Sequence, residues 1–224
     1  MTEAQPSRLA HAPEPPALHE LAAQLAGKLC HDLIAPAGAI ITGLDMLEDP
    51  DNEDLREDAL ALISASGRKL AAALAFDRIA YGASAAAETF DVRALEALAR
   101  DVIASGRVQL EWAVAAQSAP KLTARVLLNL AQIGAGAVAT GGVARVSVAE
   151  AGERTEVVVR AEGARAMLRP EATDGLLGLP LGERLAGHWV QAFYVHALIK
   201  AGGGQLEVEA GEGAVVIRAL LPRE

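Results

Sequence analysis

The sequence predicts an α+β protein in which an N-terminal helical hairpin forms a dimeric four-helix bundle and an α/β sandwich follows. Three observations carry this. Apolar residues recur at three- and four-residue steps from Ala17 to Glu48, the period of an amphipathic helix. Beyond residue 88, helical stretches are interleaved with runs of alternating polarity, the period of strands. The first helix also carries a second apolar flank, which a lone pair of helices leaves uncovered. With 52% hydrophobic and 22% charged residues, the 224-residue chain has ample material for a packed core.

Residues 1–16, rich in proline and mixed charge, read as a flexible leader. They lack the basic start and apolar run of a secretion signal, so a cytoplasmic protein is expected. The hairpin spans 17–84. Its first helix lines up Leu18, Leu21, Leu25, Leu29, Leu33, Ile40, Leu44 and Leu47, with Pro36 on the same stripe. In "EDPDNED" the residues Asp49, Pro50 and Asp51 predict a turn, with Asp51 capping a second helix whose first turn holds Glu53 and Asp54. That helix runs to Tyr81 and points Leu55, Ala59, Leu62, Ser66, Leu70, Ala73 and Phe76 inward. The second flank of helix one, Cys30, Ile34, Ala37 and Ile41, predicts a homodimer across a twofold axis. The alternative cover is the rest of the chain.

The second domain, 88–224, reads as helix 92–105, strand 108–114, helix 119–139, and strands 143–150 and 155–162. A glycine-rich loop at 174–183, a helix at 189–202 and strands at 205–210 and 214–221 complete it. Two hairpin-like strand pairs among helices predict a sandwich.

Composition excludes several function classes. A net charge of −9 without a lysine or arginine cluster argues against nucleic acid. The single cysteine, Cys30, cannot form an intramolecular disulfide. Cys30 and His31 diverge by about 100° on a helix, so they do not make a metal site unaided. The nearest approach to a membrane span, Val126 to Ala144, contains Asn129, Gln132 and glycines and is expected to be a buried helix.

His31 falls roughly opposite the leucine stripe, on the outside of helix one. Its helical neighbours Gly27, Ala35 and Gly38 offer almost no bulk. Glycine inside a helix costs about 0.5–1 kcal/mol relative to alanine, a cost that close helix packing or access to the imidazole would each explain. Pro36 removes the amide hydrogen that would bond the Asp32 carbonyl, loosening the helix here. Asp32 can accept a hydrogen bond from one ring nitrogen and leave the other as a nucleophile. His188 and His196, on an apolar helix with Trp189, Phe193 and Tyr194, are expected to serve packing, as is Asn129.

"CHDLIAPAGAIITGLDML" resembles the phosphoacceptor box of histidine kinases. Its "CHDL" and "P.GAI..GL" elements, from Cys30 to Leu44, are more closely similar to alphaproteobacterial histidine phosphotransferases of the ChpT type. "KLAAALAFDRIAYGAS", Lys69 to Ser84, resembles that family's second helix. "RVLLNLAQIGAGAV" is similar to the asparagine box of kinase ATP-binding domains, but Ile133 stands where the magnesium-binding asparagine is expected. Ala161 and Arg165 likewise replace the adenine-binding aspartate and a glycine, and "GLLGLPLGE" is at best a remnant of the lid.

The resemblance implies a degenerate kinase-like domain and a phosphorelay function through His31 and Asp32. Gly27, Lys28, Ala35 and Gly38 would form the docking surface. The implied donor is the receiver of a CckA-like hybrid kinase, and the implied acceptors are CtrA-like and CpdR-like response regulators acting in the cell cycle. No cofactor of its own is expected; the receiver would bring Mg²⁺. Two alternatives remain: a histidine kinase with an aberrant nucleotide site, disfavoured by Ile133 and Ala161, and a catalytically silent dimeric adaptor.

Overall fold

The computed structural model describes residues 16–82, 87–103, 107–180 and 186–223. The expected leader and most of the expected domain boundary lie outside them. Helix α1, Leu18–Glu48, runs unbroken through Pro36. A 3₁₀ turn over Pro50–Leu55 leads into α2, Arg56–Ala80. The N-cap of α2 is therefore Leu55 rather than Asp51, and its first-turn acids are Glu57 and Asp58. Pro50 opens a tight turn with its fixed φ, and that turn consumes the residues expected to start the helix. Leu55, expected inward, is 40% exposed as a result.

The two helices cross closely. A Cβ on Gly43 would lie 2.6 Å from Ile63 Cγ1 and 3.1 Å from the Ala59 carbonyl, so only glycine fits there. The leucine stripe of α1 is not covered by α2 alone. Leu21 and Leu25 pack on Trp189, Val190 and Phe193 of a C-terminal helix, while Leu18 and Leu44 remain exposed. The rest of the chain thus covers part of α1, the option that periodicity left open.

The second layer begins with β1, Thr89–Asp91, and α3, Val92–Ile103. There follow β2, Val108–Ala113, β3, Ser118–Pro120, and α4, Lys121–Ala137. Next come β4, Gly142–Ala151, β5, Arg154–Glu162, and α5, Pro170–Leu176. The chain closes with α6, Ala186–Ala201, β6, Gln205–Gly211, and β7, Ala214–Pro222. The main sheet has the order β2-β4-β5-β7-β6, with β2 parallel to β4 and every other pairing antiparallel. Strands β1 and β3 form a separate antiparallel ladder.

Alternation gives the sheet two unlike faces. Val157, Val159, Val215, Ile217 and Leu221 are buried in the core, together with Leu127, Leu130 and Val195 of the helices. On the opposite face Arg145 pairs with Glu111, and Arg218 with Glu156 and Glu207. The β1–β3 ladder and α5 are absent from the sequence reading, because elements of three and seven residues carry too few periods to register.

Asn129 joins the hairpin to this layer. Its Nδ2 donates to the carbonyls of Ala80 (3.0 Å) and Arg125 (2.9 Å), and its Oδ1 accepts from Gln191 Nε2 (3.1 Å). Arg125 donates to the Gly82 carbonyl at 3.1 Å. Among the described residues, α2 is the helix with the length and apolar composition of a membrane span. Val126 to Ala144, expected to be the nearest to one, instead contributes α4, whose Val126, Leu127 and Leu128 are fully buried in the core.

Candidate functional site

His31 projects from the middle of α1 with its side chain 88% exposed. Its Nδ1 lies 3.2 Å from Asp32 Oδ1. A carboxylate oxygen accepts only, so this contact places a hydrogen on Nδ1 and leaves the Nε2 lone pair facing outward. Asp32 is itself held: Lys28, one helical turn earlier, donates from Nζ to Asp32 Oδ2 at 2.5 Å.

The bareness expected around the ring is present. A Cβ built on Gly27 or Gly38 meets nothing within 4 Å, and Ala35 is exposed. These positions face open space within this chain. Lys28, expected on the same surface, instead has its side chain only 9% exposed and turns inward toward Asp32.

Half-buried polar groups of both hairpin helices lie in the same electrostatic neighbourhood as Asp32. Burial pushes the Asp77 carboxyl of α2 up to about 6; Lys28 draws it down and Asp32 raises it further. Tyr81, a turn later, has its hydroxyl pushed upward by burial and then by Asp77 and Asp32. The Tyr81 Oη and the Gln24 Oε1 are both buried without a hydrogen-bond partner in the structure. Pairing of Lys28 with Asp32 is readable as an i, i+4 spacing, whereas the approach of Asp77 depends on the register of the hairpin.

His31 and Asp32 stand at the lip of a cleft of about 580 Å³ between α1 and the second layer. Ile133, Leu168 and Ala172 furnish apolar wall, and Arg169 and His188 stand beside them. His188 is exposed in this cleft rather than packed in the core, and burial followed by the Arg169 charge lowers its pKa. His196 does serve packing, with Nδ1 2.9 Å from the Leu176 carbonyl and its ring against Phe193. Ala161 is fully buried and Ile133 nearly so, which gives neither position a group able to read adenine or ligate Mg²⁺.

The displaced Asp77 titration has a signed consequence. Its folded-state value is raised from 3.8 to about 6, so its contribution favours the fold fully below pH 3.8 and is lost as pH rises through 6. The charged groups acting on this titration are Lys28 and Asp32, while Tyr81 and His188 belong to the same electrostatic neighbourhood. Asp77→Asn is expected to stabilise the protein at pH 8 by about 1 kcal/mol after allowance for solvent screening. The gain should fall to about half near pH 5 and vanish only below pH 3.8; thermal melts at pH 8 and pH 5 check it, and equal shifts at the two would contradict the assignment.

The profile of the histidine phosphotransferase C-terminal domain matches residues 92–214. The chain is 31% identical over 201 residues to "Protein phosphotransferase ChpT" of Brucella abortus (strain 2308), an alignment covering 89% of this chain and 95% of that protein. It superposes on the 1.7 Å structure of a bacterial phosphotransferase with a TM-score of 0.80 and 30% identity, covering 93% and 99% of the two chains. The histidine kinase domain of the Erythrobacter litoralis EL346 blue-light activated kinase matches with a TM-score of 0.47 and 14% identity, over 84% of this chain and 95% of that one.

Proposed function

From the premise that the chain belongs to the histidine phosphotransferase family, we propose that His31 Nε2 is the atom that carries the phosphoryl group between receiver domains of a phosphorelay. The observation that carries this reading is the 88% exposed ring braced at its inner nitrogen by Asp32. The Nε2 lone pair attacks the phosphorus of an aspartyl phosphate, the P–O bond to the donor carboxylate breaks, and that carboxylate leaves with the electron pair. The ring becomes a phosphorylated imidazolium that keeps its Nδ1 hydrogen, and Asp32 offsets the charge it has acquired. Attack by a regulator's carboxylate reverses the step and restores the neutral ring.

No proton has to leave during either transfer, so little catalytic equipment is required of this chain. The receiver brings Mg²⁺ and a lysine, and this protein brings a positioned nucleophile with clear access. The likeness to the ChpT type supports a CckA-like hybrid kinase receiver as donor and CtrA-like and CpdR-like regulators as acceptors, in the cytoplasm. Apolar Ile133 and Ala161 support a carrier that makes no phosphohistidine from ATP.

Incubation with a phosphorylated receiver domain tests the reading: acid-labile label should appear on this chain. Labelled ATP with Mg²⁺ in place of the receiver should leave the chain unlabelled. Label from ATP alone would restore the kinase alternative, and no label from any phosphorylated receiver would favour the silent adaptor.

The same reading includes a homodimer. Ile34 (68% exposed), Ile41 (59%) and Leu44 (46%) of α1 are in open solvent, as are Leu60 (49%) and Leu74 (51%) of α2. A second hairpin would cover them as a four-helix bundle. Light scattering at micromolar concentration should return twice the 23.1 kDa chain mass; the single-chain mass would contradict the pairing.

A further inference from the structure

We infer that Lys28 is a positioning residue for phosphoryl transfer: paired with Asp32 one helical turn away, it holds the Asp32 carboxylate against His31 Nδ1 and so fixes which ring nitrogen can attack. This rests on the phosphotransfer reading of His31 and extends it to a residue that touches neither the ring nor the incoming phosphorus.

Two contacts define the device. Lys28 Nζ reaches Asp32 Oδ2 at 2.5 Å, and Asp32 Oδ1 reaches His31 Nδ1 at 3.2 Å, so the two carboxylate oxygens are divided between ammonium and imidazole. On the other helix, the Asp77 carboxyl, raised chiefly by burial, is drawn down by Lys28 and raised by Asp32. The Lys28 side chain is 9% exposed, whereas that of His31 is 88% exposed. A lysine so far withdrawn cannot meet a docked receiver with its ammonium, yet it is held where it can orient the carboxylate that does face the ring.

The geometry explains why a brace is needed. Asp32 sits next to His31 in sequence, and adjacent helical side chains diverge by about 100°, so Asp32 must lean out of its own direction to reach Nδ1. A surface aspartate would exchange that contact for water readily, since exposed ion pairs and hydrogen bonds contribute little by themselves. Lys28 removes that freedom by occupying the second oxygen in a partly dry setting. With Asp32 released, the ring can carry its hydrogen on Nε2 instead, and that tautomer has no outward lone pair. Lys28 also supplies a positive charge to a neighbourhood that holds two carboxylates, Asp32 and Asp77.

The test uses the full-length protein and Lys28→Met, which keeps an unbranched stem of similar length. Nitrogen-15 NMR of the unphosphorylated protein should show His31 with its hydrogen on Nδ1, moving toward the Nε2–H form in Lys28→Met. Transfer from a phosphorylated receiver should slow by roughly tenfold or more at saturating receiver, with the receiver KM unchanged; Lys28→Arg should retain most of the rate. Lys28→Met also removes the positive charge acting on Asp77, so Lys28→Met/Asp77→Asn restores the charge balance and keeps the fold testable. The double variant should remain slow and retain the altered tautomer. Recovery of rate and tautomer there would reduce Lys28 to a neutraliser of Asp77 and overturn the proposal, as would a wild-type tautomer and rate in the single variant. Failure of the wild-type protein to accept label would instead remove the phosphotransfer reading, while the tautomer measurement would still report on the brace.

Discussion

His31→Ala is expected to eliminate acceptance of label from a phosphorylated receiver while leaving the stability within about 0.5 kcal/mol of wild type. The side chain is 88% exposed and hydrogen-bonds to its sequence neighbour Asp32, so its removal opens no cavity. Retention of label in this variant would remove His31 from the mechanism, whatever the fate of the fold. The loss should be complete rather than partial, because among the described residues the other histidine near the cleft, His188, is held on α6 with neither a carboxylate brace nor bare neighbours on both sides.

Gly38→Leu should separate folding from function in the opposite sense. A Cβ at this position meets nothing within 4 Å, so the larger side chain has room within the chain. Replacing glycine by leucine at an exposed helical position should stabilise by roughly 0.5–1 kcal/mol through helix propensity. Gly38 lies two turns beyond His31 on the same side of α1, and the new side chain would stand on the surface proposed to seat the receiver domain. Transfer should fall by about 10²-fold, the effect expected when the reacting atoms are held an ångström or so out of line. A stable variant that transfers normally would show that no docking surface passes over Gly38. One that is destabilised, loses its dimeric mass and yet transfers when folded would assign the glycine to the bundle contact instead.

The residues differ in how much of this could be read before the structure. His31, Asp32 and their small neighbours lie within one stretch of one helix, where a 3.6-residue repeat suffices to place side chains relative to one another. The sheet strands were likewise legible, since β5 and β7 alternate over nine residues each. Legibility ended where the deciding contact crossed between elements. Lys28 appeared as one more charged residue beside the histidine, and only the partner helix shows that its ammonium is withdrawn and shared. Leu21 and Leu25 fitted an α2-facing stripe as well as they fit Trp189, because periodicity identifies a buried face without saying what buries it. His188 followed the same logic, since the cleft that exposes it is bounded by α1, more than a hundred residues away in sequence.

The last carbonyl of α2 and one just beyond it are received by side chains of α4: Asn129 takes that of Ala80, and Arg125 takes that of Gly82. A helix end ordinarily frays because water can replace its final hydrogen bonds at little cost. Here fraying would strand a fully buried amide, one that Gln191 also addresses from α6. The penalty couples the end of the hairpin to the interior of the sandwich, so the amides near Tyr81 should exchange with solvent only when the whole molecule opens. What sequence periodicity divides into two domains is therefore expected to open as one cooperative unit. The angle at which the phosphorylated ring is presented is then a property of the entire fold, rather than of a helix free to swing on a linker.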